Sequence, residues 1–138
     1  MSLRIADLQV GDLLPERAHT PSNVSLFLYN AAVWNPHRIH YDEVYTTTVE
    51  NHPGIVIDGP LQGDWLAQCV CNWLGADGSL RRFHYSNRLA THLGDTLTSG
   101  GRIVAVQREQ QEVEVELWIR NGAGQVTSPG GATVAIYR

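Results

Sequence analysis

The segment Pro60–Leu74 constrains the fold of this chain more than any other stretch. Leu61, Trp65, Leu66, Cys69, Val70, Trp73 and Leu74 recur at helical spacing and cover more than half of the circumference. Pro60 suits the first helical position, Asp58 or Gly59 the cap, and Gly75 the stop. A helix that apolar must be enclosed by the rest of the fold rather than laid upon it. The chain beyond Gly75 reads as strand. Leu80–Leu89 carries Phe83 and Tyr85, and Arg102–Arg108 carries Ile103, Val104 and Val106. In Val113–Arg120, the residues Val113, Val115, Leu117 and Ile119 alternate with Glu112, Glu114, Glu116 and Trp118, giving one dry face and one wet face. Asn121-Gly122-Ala123-Gly124 reads as a hairpin turn and Ala132–Tyr137 as the last strand. The class is α+β: an antiparallel sheet whose apolar face needs a partner, with one helix long enough to supply it.

Upstream, residues 5–12 read as a short strand and turn. Thr20, Pro21 and Ser22 offer a helix start, with Val24, Leu26, Phe27 and Tyr29 beyond it and a stop before Pro36. Trp34 to Pro53 is polar and rich in histidine and tyrosine, with room for one short helix at Asp42–Thr48. It is too long for a bare connector, and such segments often carry function. Without repeats or linkers, 138 residues predict a single domain over 1–138. A net charge of −4 argues against a nucleic-acid partner, and all ten basic residues are arginine. No apolar stretch approaches the ~20 residues of a membrane span. The amino terminus has no apolar signal region, so the expected setting is cytoplasmic, with no membrane partner. Cys69 and Cys71, two apart on one helix, point to different faces; both read as buried thiols in a reducing compartment.

The polar segment centres on Asn35-Pro36-His37-Arg38-Ile39-His40-Tyr41-Asp42. Before it stands Ala6-Asp7-Leu8-Gln9-Val10-Gly11-Asp12. After it come His52-Pro53-Gly54-Ile55-Val56, Asp58-Gly59-Pro60-Leu61-Gln62, Gly94-Asp95-Thr96-Leu97 and Gly131-Ala132-Thr133-Val134-Ala135. Each piece alone is weak, but their order and spacing are specific. Together they resemble the MaoC-like hydratases and dehydratases, whose hot-dog fold wraps an antiparallel sheet around one long central helix. The usual motif of that family is Asp-x-Asn-Pro-x-His, with the aspartate and histidine holding the catalytic water. Anchoring on Asn35-Pro36 puts Val33 and Arg38 at the catalytic positions, which makes no chemical sense. Anchoring on His40 puts Asn35 at the aspartate position and His37 where the motif has asparagine. This register resembles the variant Asn-x-His-Arg-Ile-His-Tyr-Asp of mesaconyl-CoA-type hydratases and fungal mitochondrial 3-hydroxyacyl-thioester dehydratases. Asp58 is a second departure, since that variant usually has histidine before Gly-Pro-Leu-Gln.

The resemblance implies reversible hydration of an enoyl thioester, on acyl-CoA or acyl-ACP, or the reverse dehydration of a 3-hydroxyacyl thioester. It implies no cofactor. Such a reaction needs a base for the water, an acid for the α-carbon, and donors for the thioester oxygen as it takes enolate charge. His40 is then the general acid/base, Asn35 orients the water, and the N–H of Gly59 at the helix mouth is the oxyanion donor. Glycine there also permits close approach of the carbonyl. His37, Asp58 and Pro60 are expected beside the substrate, with Asp58 serving equally well as a helix cap. Arg81, Arg82 and Arg88 suit coenzyme A phosphates and serve equally well as solvated strand charges. His37 and His40 with Asp42 and His52 mimic a metal site, but nothing completes a ligand set of known spacing, so no metal is expected. A lone hot-dog sheet leaves open edges, which the family resolves by pairing domains, and a homodimer or higher even oligomer is therefore expected. Two alternatives remain. The missing motif aspartate favours a non-catalytic acyl-thioester-binding subunit, and a hot-dog thioesterase lacks its carboxylate at the expected position.

Overall fold

The central helix forms where its pattern predicts it. In the computed structural model, which describes residues 2–138, α3 spans Gly59–Leu74 and ends at Gly75, whose φ of +54° is the left-handed region that glycine tolerates. Leu66 and Val70 on this helix have no exposed surface, and Trp65, Cys69 and Leu74 are buried with them. Strands β1 (Leu13–His19), β2 (Gly78–Tyr85), β3 (Leu97–Gln107), β4 (Glu112–Arg120) and β5 (Val126–Ile136) form one sheet in the order β1-β3-β4-β5-β2. Every pairing is antiparallel. Register slips between Ile103 and Ala105 and between Leu80 and Arg82 mark bulges, which bend a strand and raise its twist. The sheet thereby curls around α3, and Val113, Val115, Leu117 and Ile119 meet Leu66, Val70 and Leu74 in one core. This is the hot-dog architecture.

The helices before α3 lie at one end of it. α1 (Asn23–Val33) starts with a reciprocal cap, in which Ser22 Oγ accepts from Ser25 N–H and Ser25 Oγ accepts from Ser22 N–H. α2 (Glu43–Thr48) starts where Asp42 accepts from the Tyr45 N–H. Between them Arg38–His40 forms one 3-10 turn.

Several expectations need correction. Residues 5–12 hold a 3-10 turn at Ile5–Asp7, and the first strand is Leu13–His19. β2 ends at Tyr85 rather than Leu89, while β3 and β5 begin earlier than expected, at Leu97 and Val126. Trp118 is not on a wet face: it is buried, with the Arg120 guanidinium 4.3 Å over its ring. Cys69 is a buried free thiol, but Cys71 is exposed.

Candidate active site

Three segments converge on the N-terminal end of α3. α1 ends at Trp34, whose φ of +56° reverses the chain, and the Asn35 N–H then bonds the Asn30 carbonyl at 2.9 Å. That turn brings Asn35 back beneath the helix it has just left. The 3-10 turn comes next and presents His40 on its inner side, buried. The strand-like stretch Ile55–Ile57 runs beneath both. Val56 N–H donates to Ile39 O at 2.9 Å and Ile57 N–H to Thr91 O at 2.8 Å, so this stretch is held on two sides. It delivers Asp58 directly under Asn30, Asn35 and His40.

Asp58 is the centre of the cluster. It has no exposed surface, and although it occupies the cap position before α3 its carboxylate makes no cap hydrogen bond. Expected as a helix cap or substrate contact, it turns inward instead. Asn30 Nδ2 donates to its Oδ1 at 3.0 Å and Asn35 Nδ2 to its Oδ2 at 3.3 Å. His40 Nδ1 lies 3.5 Å from Oδ1. Burial pushes the Asp58 carboxyl above the usual carboxylate range, against the downward pull of the Asn30 donor, His40 and Asn35. Asn30 is committed elsewhere too. Its Nδ2 also donates to Leu26 O at 2.8 Å, and its Oδ1 is buried without a partner.

His40 has one nitrogen occupied and one open. Nδ1 lies 2.8 Å from Val56 O, a group that only accepts, so Nδ1 carries the hydrogen and Nε2 the lone pair. Among the described residues nothing bonds Nε2, which is not sealed from solvent. Asn35 is similarly half-used. Its Oδ1 accepts the His37 N–H at 3.2 Å, one Nδ2 hydrogen goes to Asp58, and the other is free. The pair therefore offers a proton acceptor and a neutral N–H donor. His37 itself is exposed, with its ring centroid 5.8 Å from that of His40.

The helix mouth is braced from below. Gln62 is buried; its Nε2 donates to Thr91 Oγ1 at 3.1 Å. Ser128 Oγ lies 2.9 Å from both Gln62 Oε1 and Asn87 Oδ1 and donates to one of them. A side chain at Gly59 would overlap the Asn87 amide. The small size of Gly59 is therefore needed for Asn87, and not only for a ligand. Pro60 has no N–H, and the first intrahelical bond is from Gln62 N–H to Asp58 O at 3.3 Å, which leaves the Gly59 N–H without a helical acceptor. Beside this mouth Phe27, Ala31, Trp34, Pro36 and Tyr41 line an apolar cleft of about 180 Å³ that reaches Asn30 and Asn35.

The structure thus brings His40, Asn35, Asp58, Gly59 and Pro60 together, with His37 at the rim. It does not bring the arginines with them. Arg81 and Arg82 are exposed on edge strand β2, and Arg82 lines a separate hollow with Glu114 and Glu116. Arg88 comes nearer, one residue after Asn87, and its Nε bonds Ser86 Oγ at 3.1 Å. Nor do His37, His40, Asp42 and His52 form a metal centre. Asp42 is engaged by Arg38 at 2.8 Å, His52 pairs with His92 at 3.3 Å, and no group of three metal-ligating side chains occurs among the described residues. Asn30, Gln62, Asn87, Thr91 and Ser128 carry no signal of their own in the sequence; of these only Gln62 lies within a family-like motif, Asp58-Gly59-Pro60-Leu61-Gln62.

A five-stranded antiparallel sheet wrapped around one long helix makes this a hot-dog protein, with a buried histidine and carboxylate at the helix mouth. Residues 10–93 match the family model of hydroxyacyl-thioester dehydratase type 2, and the chain belongs to that family. The mitochondrial hydroxyacyl-thioester dehydratase type 2 of Schizosaccharomyces pombe is 43% identical over 42 residues, 30% of this chain and 14% of that protein. The mesaconyl-C(4)-CoA hydratase of Chloroflexus aurantiacus is 44% identical over 45 residues, 33% of this chain and 16% of that protein. The matched segments are thus a small part of both relatives. The solved (R)-hydratase from A. caviae involved in PHA biosynthesis superposes with a TM-score of 0.85 at 17% identity, covering 94% of this chain and 98% of that one; the likeness is one of fold.

Proposed function

We propose that the chain hydrates an enoyl thioester reversibly, or dehydrates the corresponding 3-hydroxyacyl thioester, carried on CoA or ACP. The observation that carries the reading is His40. With Nδ1–H committed to Val56 O, its Nε2 is a base by construction, and the free Asn35 N–H stands in the same cluster. Water held between them loses a proton to Nε2 as its oxygen bonds the β-carbon. The π electrons move to the thioester oxygen, where the Gly59 N–H and the positive end of α3 meet the new charge. The proton on Nε2 then passes to the α-carbon and the carbonyl re-forms. Asn35 does not ionise near neutral pH, so it holds the water without deprotonating it. The cleft lined by Phe27, Ala31 and Trp34 suits an acyl chain, since its walls are apolar and it ends at Asn35. His37 and Pro60 stand at the rim of the substrate path, and Arg88 is the arginine best placed for carrier phosphates, ahead of Arg81 and Arg82.

The reading extends to a homodimer, because among the described residues the outer edge of β2 carries no pairing and an open edge invites a second copy. It also extends to a reducing, cytoplasmic setting, which suits free thiols at Cys69 and Cys71. No helix among the described residues is long and apolar enough to cross a membrane. The test is to offer the purified protein a panel of enoyl-CoAs and follow loss of the conjugated absorbance. Turnover of at least one member is expected. No turnover, together with tight binding of the same thioesters, would favour the non-catalytic subunit.

A further inference from the structure

We infer that Asp58, the residue before α3, is the carboxylate of this active site, where it balances the charge that His40 acquires and orients Asn35. The inference rests on the hydration reading and assigns a positioning role within it. The motif position holds an amide, Asn35, and the position where this variant usually has histidine holds a carboxylate. The two residues are in direct contact, Asn35 Nδ2 to Asp58 Oδ2 at 3.3 Å. With an amide at Asn35, the site still has a carboxylate beside its histidine.

The chemistry comes from the geometry. When water gives its proton to His40 Nε2, the imidazolium charge is shared with Nδ1, which sits 3.5 Å from Asp58 Oδ1. Asp58 exchanges no proton at any step. It makes the protonated histidine less costly and is returned unchanged when Nε2 passes the proton to the α-carbon. A purely structural role fits poorly. Asp58 does not cap α3, and its surroundings on balance oppose its ionised form, which a stabilising ion pair would not do. The groups facing it are His40, the two amides and, at longer range, Tyr29; burial and the Asp64 hydrogen bond push the Tyr29 hydroxyl well up, with a smaller upward push from the Asp58 charge.

The same geometry sets the outcome of Asn35→Asp. Restoring the motif aspartate would set two buried carboxylates against each other across a 3.3 Å contact, and like charges that close cannot both ionise freely. The single change should therefore harm the site, and the reciprocal exchange Asn35→Asp with Asp58→Asn should repair it.

The experiment is that set of three variants, assayed for kcat, KM and pH–rate profile on the best enoyl-CoA, and for Tm at neutral pH. Asp58→Asn should lower kcat roughly 10- to 100-fold, less than the ~10⁴ lost when charge and tautomer control go together, because Val56 O still holds the tautomer. Its new amide cannot accept from both Asn30 and Asn35, so its Tm should fall. Asn35→Asp should lose both kcat and Tm, and the double variant, which again sets one donor against one acceptor across this contact, should recover to within about 10-fold of wild type. A double variant no better than the singles, or an Asp58→Asn protein with wild-type kcat, would overturn the inference. Should the wild type turn over no thioester, the hydration reading fails by itself and the Tm comparisons decide Asp58. Losses in both single variants that the double variant repairs would uphold the placement of the carboxylate; no repair would reject it.

Discussion

The two ends of α3 are built on opposite terms. Its later half, Leu66, Val70 and Leu74, is apolar and sealed against Leu117, Ile119 and Val134. Its first turn is just as buried but polar: Asp58 and Gln62 are enclosed, and they are held by Asn30, Asn35, Thr91 and Ser128. Burying apolar carbon lowers the free energy of the fold, whereas burying a carboxylate raises it unless every lone pair is met. Here one site atom, Asn30 Oδ1, is left unmet, and the Asp58 carboxyl is pushed upward. The helix is anchored by one end so that the other can hold groups that folding alone would not choose.

The sharpest break between the ends should come from His40→Ala. Loss of a positioned acid/base group typically costs about 100- to 10,000-fold in turnover, so hydration per folded molecule should fall by that factor, with a smaller loss of Tm by differential scanning from the unmet Val56 carbonyl. Leu66→Ala is its counterpart at the apolar end. A fully buried leucine cut to alanine costs roughly 2–5 kcal/mol, read as a lower urea midpoint, with kcat per folded molecule retained. Acid stability separates Asp58 from carboxylates elsewhere in the fold. The folded-state pKa of Asp58 is raised, so the stability it contributes is full below the ordinary carboxylate range and is lost as pH rises through the folded pKa. The Tm of wild type relative to Asp58→Asn should therefore rise steadily on acidification from neutral pH. Asp42 and Asp77 run the other way: backbone N–H donors hold both low, and what they contribute is lost as pH falls.

Smaller effects lie further from the boundary. Ser22→Ala removes the cap of α1, the helix that carries Asn30, and should cost about 1 kcal/mol by chemical denaturation. Arg88→Ala should raise KM for CoA thioesters several-fold, an effect that added salt would mask. Arg81→Ala and Arg82→Ala should do less, because neither side chain is drawn toward His40.

How much of the molecule is legible in its sequence divides along the same line. The apolar end announces itself, because leucine and valine at helical and alternating spacing report burial directly. β1 does not: in Leu13–His19 only Leu14 is buried, and a proline interrupts the edge. The early parts of β3 and β5 stay silent too. Gly101 and Gly130 must be small, since a Cβ there would strike Glu116 O and His84 O, and such residues carry no hydrophobic period. At the polar end, His40, Asn35 and Gly59 are legible as motifs within one stretch of chain. Their supports are not, because Asn87, Thr91 and Ser128 come from distant loops and strands. Asp58 is visible but misleading; an acid before a proline-led helix looks like a cap, and only the turn at Trp34 shows why it faces inward.

If the polar end of α3 is shaped around an acyl thioester, a structure with a bound, non-reacting acyl-CoA will show the thioester oxygen within hydrogen-bond reach of the Gly59 N–H, about 3 Å, with the β-carbon facing His40 Nε2 and the free Asn35 N–H. An acyl-CoA seated elsewhere, with its carbonyl far from Gly59 and its β-carbon out of reach of His40, would contradict it.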